Sequence, residues 1–444
     1  MTSSNVFFRR MAFPHPSATH GEGVYLWDSS GRKYIDASGG ALVVNIGHGV
    51  AEVAEAMAQQ AASLAYVHGT MFTTPVLETY SQRLAAVVPV NQPRFYYMSS
   101  GSEAVETALK FTRIVQVARG ECSREVIISR WGSYHGLTLG ALAVTGRPKF
   151  RTLFAPLFHD QPHIPPPYCY RCPFGAARSA CNLECARALE LEILRQGPDR
   201  VAAFIAESIG GATLGAVVPP DDYWPLIIQI CDHYGVLIIA DEVMCGFGRT
   251  GRWFAIEHFN VKPQVMTMGK GITGGYFPLS ITAVQEADVE TVRQAQGDFP
   301  HGGTFSHHAV GAAAALATLE YLEKHDLIIT SSRRGTYLGQ QLQDELANLP
   351  CIGDVRGLGM MWAVEFVTDR QTKEPFPPER HFSQRVCDQA FNQGVILYPG
   401  TGSVNGVSGD HLMVAPPFII TEEQIDELII ILKEAVLGIW NKDQ

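Results

Sequence analysis

The sequence predicts an α/β protein: a mainly parallel sheet between helices, with a smaller α+β domain beside it. Two observations carry that expectation. Through the middle of the chain, short apolar runs alternate with amphipathic stretches, and strands buried on both faces of a parallel sheet look like such runs. From about Tyr321 the character changes, and a long helical stretch leads into the alternating segment 352–367 (IGDVRGLGMMWAVEFV). A length of 444 residues exceeds one ordinary core. We expect residues 1–50 to pack with the small domain, 51–325 to form the large domain, and 326–444 the small one.

In chain order, residues 24–36 (VYLWDSSGRKYID) read as a β-hairpin, with alternating apolar residues around a Ser-Gly turn. A helix is expected from about residue 51 to 64. Five runs are candidate strands: 94–98 (RFYYM), 126–129 (VIIS), 202–206 (AAFIA), 236–240 (VLIIA) and 264–268 (QVMTM). In 352–367, Trp362, Val364 and Phe366 alternate with Ala363 and Glu365. The chain ends in an apolar-periodic helix over 422–440, with Thr421 as its N-cap candidate.

Composition excludes several classes of function. With 46% hydrophobic and 18% charged residues the chain is globular. A net charge of -10 argues against a nucleic-acid binder, which needs a positive surface. No uninterrupted apolar stretch reaches membrane-spanning length, and residues 1–16 lack a basic-then-apolar signal pattern. A soluble, cytoplasmic protein is the expectation, and nine mostly scattered cysteines fit a reducing compartment.

Five segments hold residues with chemical potential. Asp241 closes the apolar run VLIIAD, where ligands bind in open α/β sheets, although a helix cap or core ion pair would also use it. Lys270 follows another strand between Gly269 and Gly271. A desolvated lysine can form a Schiff base, whereas most loop lysines are simply solvated. The phosphate-loop pattern ending in Gly-Lys-Ser/Thr is absent there. Ser100, Gly101 and Ser102 open a helix and could cup an anion, with Ser100 and Glu103 also readable as a capping box. Tyr134 and His135 follow a strand, where an aromatic can stack on a planar ring or fill a core. Thr304 lies in a Gly/His loop before an Ala-rich helix. The adjacent His307 and His308 make a poor metal pair without other ligands.

Taken together, the chain resembles the class III (subgroup II) aminotransferases of pyridoxal-phosphate fold type I over nearly its full length. The resemblance runs through SSGSEAVETALK, WGSYHG, VLIIADEVMCGFGRTG, TMGKGITGGYFPL, GGTFSHH and GDVRGLGMMWAVEF. It implies a seven-stranded sheet in the large domain and pyridoxal 5'-phosphate (PLP) as cofactor. Lys270 matches the Schiff-base lysine, which also moves the proton, and Asp241 the partner of the pyridinium nitrogen. Gly101 and Ser102, next to Ser100, match the phosphate cup. Tyr134 and Val243 match the residues on the two ring faces, and His135 and Glu207 polar neighbours of the cofactor. Thr304 matches a contact to the phosphate of the neighbouring subunit, which implies a homodimer, or a dimer of dimers, with sites at the interface. Leu42, Tyr66 and Phe72 lie where relatives line the substrate pocket. The implied reaction is ping-pong transfer from an amine or ω-amino donor to a keto acid, pyruvate for choice. A PLP aminomutase or decarboxylase on the same scaffold is the rival, and a binding protein that lost activity is a third reading.

Two features depart from the pattern. The arginine that many of these enzymes carry just before Ala-Pro-Pro is Met413 here, and the stretch 400–411, where others carry a mobile arginine, has none. The donor is therefore expected to be an amine, or to bear its acid far from the reacting carbon. The second is the spacing of Cys169, Cys172, Cys181 and Cys185, which looks like a metal knuckle. Free thiols or a locally disulfide-linked surface loop explain it as well, and no metal ligand set is assigned.

Overall fold

The computed structural model describes residues 5–11 and 13–443, so the first residues of the 1–16 stretch fall outside the description. Strands β1 (Ala18–Glu22), β2 (Tyr25–Asp28) and β3 (Lys33–Asp36) form an antiparallel ribbon. The β2–β3 turn is the expected one. The Asp28 carboxylate accepts the Ser30 and Arg32 N–H groups at 2.9 and 3.1 Å, and Gly31 takes φ 83. β1 was not anticipated: its sequence, ATHGE, is largely exposed, and backbone pairing with β2 holds it.

The main sheet has seven strands: β4 (Pro93–Met98), β5 (Val126–Arg130), β6 (His163–Ile164), β7 (Val201–Glu207), β8 (Leu237–Asp241), β9 (Val265–Met268) and β10 (Ser280–Gln285). Their order is β4-β10-β9-β8-β7-β5-β6, and β10 runs antiparallel to both neighbours. All five expected strands form, and the mainly parallel seven-stranded sheet is as the resemblance implied. β10 was missed for a physical reason. Its buried Ser280 and Thr282 are polar, but each hydroxyl donates to a carbonyl of the adjoining helix Gly101–Ala118, Ser100 O and Ala104 O, both at 2.7 Å. Such a strand is buried without being apolar.

In the C-terminal part, β11 (Ile352–Leu358), β12 (Met361–Phe366), β14 (Tyr398–Thr401) and β15 (Asp410–Val414) make an antiparallel sheet ordered β11-β12-β15-β14. The short β13 (Val395–Ile396) pairs in parallel with β3 and ties the N-terminal ribbon to this region. The last helix, Glu422–Asp443, starts with the expected cap: Thr421 Oγ1 accepts the Gln424 N–H at 3.2 Å, and Gln424 returns a bond at 2.9 Å.

Glu365 of β12 is fully buried. Its carboxylate accepts Arg171 Nε at 2.6 Å, Arg356 Nη1 at 2.8 Å and the Tyr168 hydroxyl. Arg356 also donates to Gly215 O at 2.6 Å and to Leu214 O. The Cys-containing segment is thereby clamped to β12 through Tyr168 and Arg171. Its cysteines are free thiols, Cys169 exposed and Cys185 buried. Among the described residues, no three His, Cys, Asp or Glu side chains are arranged to hold a metal.

Candidate active site

Strands β5, β7, β8 and β9 run in one direction, so their carboxyl ends meet along one edge. That edge receives Tyr134 and His135 after β5, Glu207 at the end of β7, Asp241 at the end of β8 and Lys270 after β9. The register sets Glu207 beside Asp241, and Asp241 beside Thr267.

Asp241 is buried and held by three groups. One oxygen accepts His135 Nδ1 at 2.6 Å, and the other accepts the Val243 N–H at 3.0 Å and Thr267 Oγ1 at 3.1 Å. His135 is fixed in turn by its N–H, which donates to Thr145 Oγ1 at 2.9 Å. Its Nε2 is buried with no partner among the described residues. Carboxylate and imidazole are thus oriented before any ligand arrives.

Lys270 occupies a one-turn helix with φ 48, in the left-handed region. Asn45 pins the loop by donating to Gly271 O at 3.0 Å and Phe247 O at 3.2 Å. Surrounding protein strips water from the amine and pushes its pKa down to about 8, opposed by the charges of Asp241 and Glu207. An appreciable neutral fraction therefore exists near neutrality. Burial pushes the Glu207 carboxyl up to about 7 against the pull of His135 and Arg130, and it accepts the Gly211 N–H at 3.1 Å.

Across from these groups, Ser100 caps the helix Gly101–Ala118, its Oγ accepting the Glu103 N–H at 3.3 Å. The Glu103 carboxylate reaches the N–H of Ser99, one residue outside the expected capping box. A Cβ on Gly101 would lie 2.8 Å from Val243, whose side chain also faces Gly269. Ser102 Oγ accepts the Leu137 N–H at 3.1 Å and abuts Gly136. The helix start, Val243, the Lys270 loop and the His135 loop therefore form one continuous lining. Tyr134, next to His135 in the chain, is close enough to Asp241 to feel its charge, and its ring stands edge-on to Phe150 at 5.8 Å.

The remaining expected residues lie elsewhere in the chain. Thr304 is exposed, and its carbonyl accepts the Tyr66 hydroxyl at 2.8 Å. Phe72 is exposed as well, and Leu42 is buried in the core with φ 59. Two supporting residues were not singled out in the sequence. Nothing in the residues next to Asn45 (VNIGHG) marks it as a support for a loop more than 200 positions away, and Thr267 is one more residue of a mostly apolar strand.

A half-buried lysine with a softened amine, an oriented carboxylate and a helix N-terminus define a lysine-centred enzyme site at a topological edge of an α/β sheet. Residues 9–436 match the aminotransferase class-III family. The chain is 36% identical over 422 residues to a putrescine–pyruvate aminotransferase of Pseudomonas aeruginosa, covering 94% of this chain and 90% of the relative. Among solved structures, an (S)-enantioselective omega-transaminase from Thermomicrobium roseum superposes with TM-score 0.90 at 37% identity, covering 96% and 93% of the two chains. The PMP-bound form of an aminotransferase from Vibrio fluvialis gives TM-score 0.89 at 31% identity, covering 96% and 93%. The protein belongs to the class III aminotransferases, which are PLP enzymes.

Proposed function

We propose that this chain binds PLP at the edge built by Lys270 and Asp241 and moves an amino group from an amine or ω-amino donor to a keto acid, pyruvate in particular, in two separate half-reactions. The observation that carries the reading is the Lys270 amine, lowered to about 8 and facing two carboxylates. The lining fits the cofactor part by part. Lys270 offers an amine for its aldehyde, Asp241 a carboxylate for its ring nitrogen, and Ser100, Gly101 and Ser102 a helix N-terminus for its phosphate. Gly101 and Val243 set a close apolar wall, and Tyr134 would supply a ring for the other face of the cofactor.

Bound PLP supplies an electron sink that makes the Cα–H bond of the donor acidic. The chain's own contribution is to place and move protons. Lys270 would be the base that takes up and returns the donor's Cα proton. Its pKa near 8 suits both directions. Asp241, locked by His135, Val243 and Thr267, would keep the ring nitrogen protonated. His135 is itself anchored, its main-chain N–H donating to Thr145 Oγ1.

Pyruvate as acceptor is supported by the putrescine–pyruvate relative. An amine donor is supported by the fate of the two arginine positions: Met413 is buried in β15, and the segment 400–411 has no arginine. A homodimer would give a role to Thr304, Tyr66 and Phe72, which are exposed along with the apolar Met71 and Phe305. Nine free cysteines favour the cytoplasm, and no helix among the described residues is long and apolar enough to cross a membrane.

The test is borohydride reduction of PLP-loaded protein followed by peptide mass mapping, with amino transfer measured over a donor panel. Label at Lys270, and a Lys270→Ala variant that loses both label and at least about 10²- to 10⁴-fold in rate, are the expected results. Label on another lysine refutes the assignment. Turnover of amines without release of an aminated acceptor refutes the reaction.

A further inference from the structure

A keto-acid acceptor carries a carboxylate, and a carboxylate leaving water needs a cation. Most guanidinium groups around the site are already committed. Arg249, 1% exposed, spends its donors on the carbonyls of Val44, Met360, Ala415 and Pro416 and stacks on Phe418. Arg130 is buried and donates to Glu207 O. Arg171 and Arg356 share Glu365.

Arg147 differs from all of these. It is half-buried, its hydrogen bond goes to Thr401 O at 3.2 Å, and among the described residues no carboxylate pairs with it. Its guanidinium lies 4.8 Å from the Phe150 ring centre, and that of Arg9, also without a paired acid among the described residues, lies 5.3 Å from the same ring. Two like charges thus share one ring with no anion between them. Phe150 in turn stands against Tyr134, which precedes His135 and feels the charge of Asp241. Loss of water holds the Arg147 pKa below its usual value, and Arg9 lowers it further, so an incoming anion would relieve both. Arg147 also lines a cavity of about 490 Å³ with Tyr168, Leu214 and the glycine-rich residues 402–406. Gly406 closes on Pro148, where a Cβ would stand 2.7 Å from the proline ring, so this arginine-free loop lies directly beside Arg147.

We propose that Arg147, reinforced by Arg9, binds the carboxylate of the keto-acid acceptor. This rests on the amino-transfer reading above. The planar guanidinium can take both carboxylate oxygens at once, while a carboxylate-free donor makes no use of it. Donor and acceptor can then share one apolar site without one fixed clamp suiting both.

The test uses PLP-loaded wild type, Arg147→Met and Arg147→Lys, with one carboxylate-free amine as donor and either pyruvate or butanal as acceptor. Arg147→Met should raise KM for pyruvate on the order of 10- to 100-fold, the effect of losing a charge-assisted contact. KM for butanal should stay within about two-fold, which also certifies the fold, and Arg147→Lys should recover part of the pyruvate affinity. An unchanged KM for pyruvate, or an equal loss with both acceptors, overturns the proposal. Propanoate binding read by saturation-transfer NMR requires no turnover. Signal in wild type that disappears in Arg147→Met supports the assignment, and equal signal in both overturns it. Wild type that binds propanoate through Arg147 yet transfers to neither acceptor would sink the amino-transfer reading alone.

Discussion

Replacing Glu365 by Gln tests what holds the region around the Arg147 cavity together. The carboxylate is completely buried and balances Arg171 and Arg356, for which Asp354 is the one other carboxylate partner among the described residues. Gln keeps the volume but cannot accept on both arms, and it leaves guanidinium charge uncompensated. Breaking one side of such a buried set costs about 3–5 kcal/mol. At ~2.1 cal/mol/K per residue, 444 residues give an unfolding entropy of about 0.9 kcal/mol/K, so the thermal midpoint should fall by about 4 °C. The pH dependence adds a signature. Burial would raise the Glu365 carboxyl's pKa, but Arg356, Tyr168 and Arg171 outweigh burial and hold it below the usual value. A depressed carboxyl stabilises fully above its unfolded pKa and loses that stabilisation as pH falls through the folded one. The gap between wild type and Glu365→Gln should therefore be complete at about pH 7 and close below about pH 4. Melting followed by circular dichroism at several pH values measures both. A midpoint within about 1 °C of wild type at pH 7, or a gap independent of pH, would refute the argument that this carboxylate balances the two arginines.

Two further outcomes follow from the titrating groups. Attachment of PLP to Lys270, followed by absorbance after mixing, should accelerate as pH rises through about 8 and then level off; Asp241→Asn removes a charge that favours the ammonium, so the same rise should move to lower pH. Burial raises the Glu207 carboxyl to about 7, so the folded state keeps a proton that the unfolded chain releases, and stability must fall as pH climbs from about 4 to 7. Glu207→Gln in cofactor-free protein should match wild type near the acid end and exceed it at about pH 8 by at most about 3 kcal/mol, read by denaturant titration; a variant less stable at pH 8 would contradict this.

The large sheet was legible because β5, β7, β8 and β9 are buried on both faces and therefore apolar for most of their length. β10 escaped because its buried residues include Ser280 and Thr282, satisfied by a helix that only the fold brings near. The positions of Asp241, closing one apolar strand, and Lys270, just after the next, made them candidates, and the roles expected of them came from the resemblance. Arg147 could not be picked out, because nothing local distinguishes an unpaired arginine from a solvated one; the distinction lies in Phe150, Arg9 and Thr401, the last more than 250 residues away in sequence. Glu365 was noticed only as one step of an alternating strand, and its partners Tyr168 and Arg171 come from the segment that had suggested a metal knuckle.

The backbone of Lys270 has a consequence for how this chain tolerates change. At φ 48 it adopts a conformation that glycine or asparagine takes easily and a lysine does not, at a cost of order 1 kcal/mol or more. The same residue also carries an amine stripped of water. Lys270→Asn should thus fold into a more heat-resistant protein than the wild type while being inert. Thermal robustness and chemical competence pull in opposite directions at this one position, and a variant library ranked by melting alone would promote its dead members.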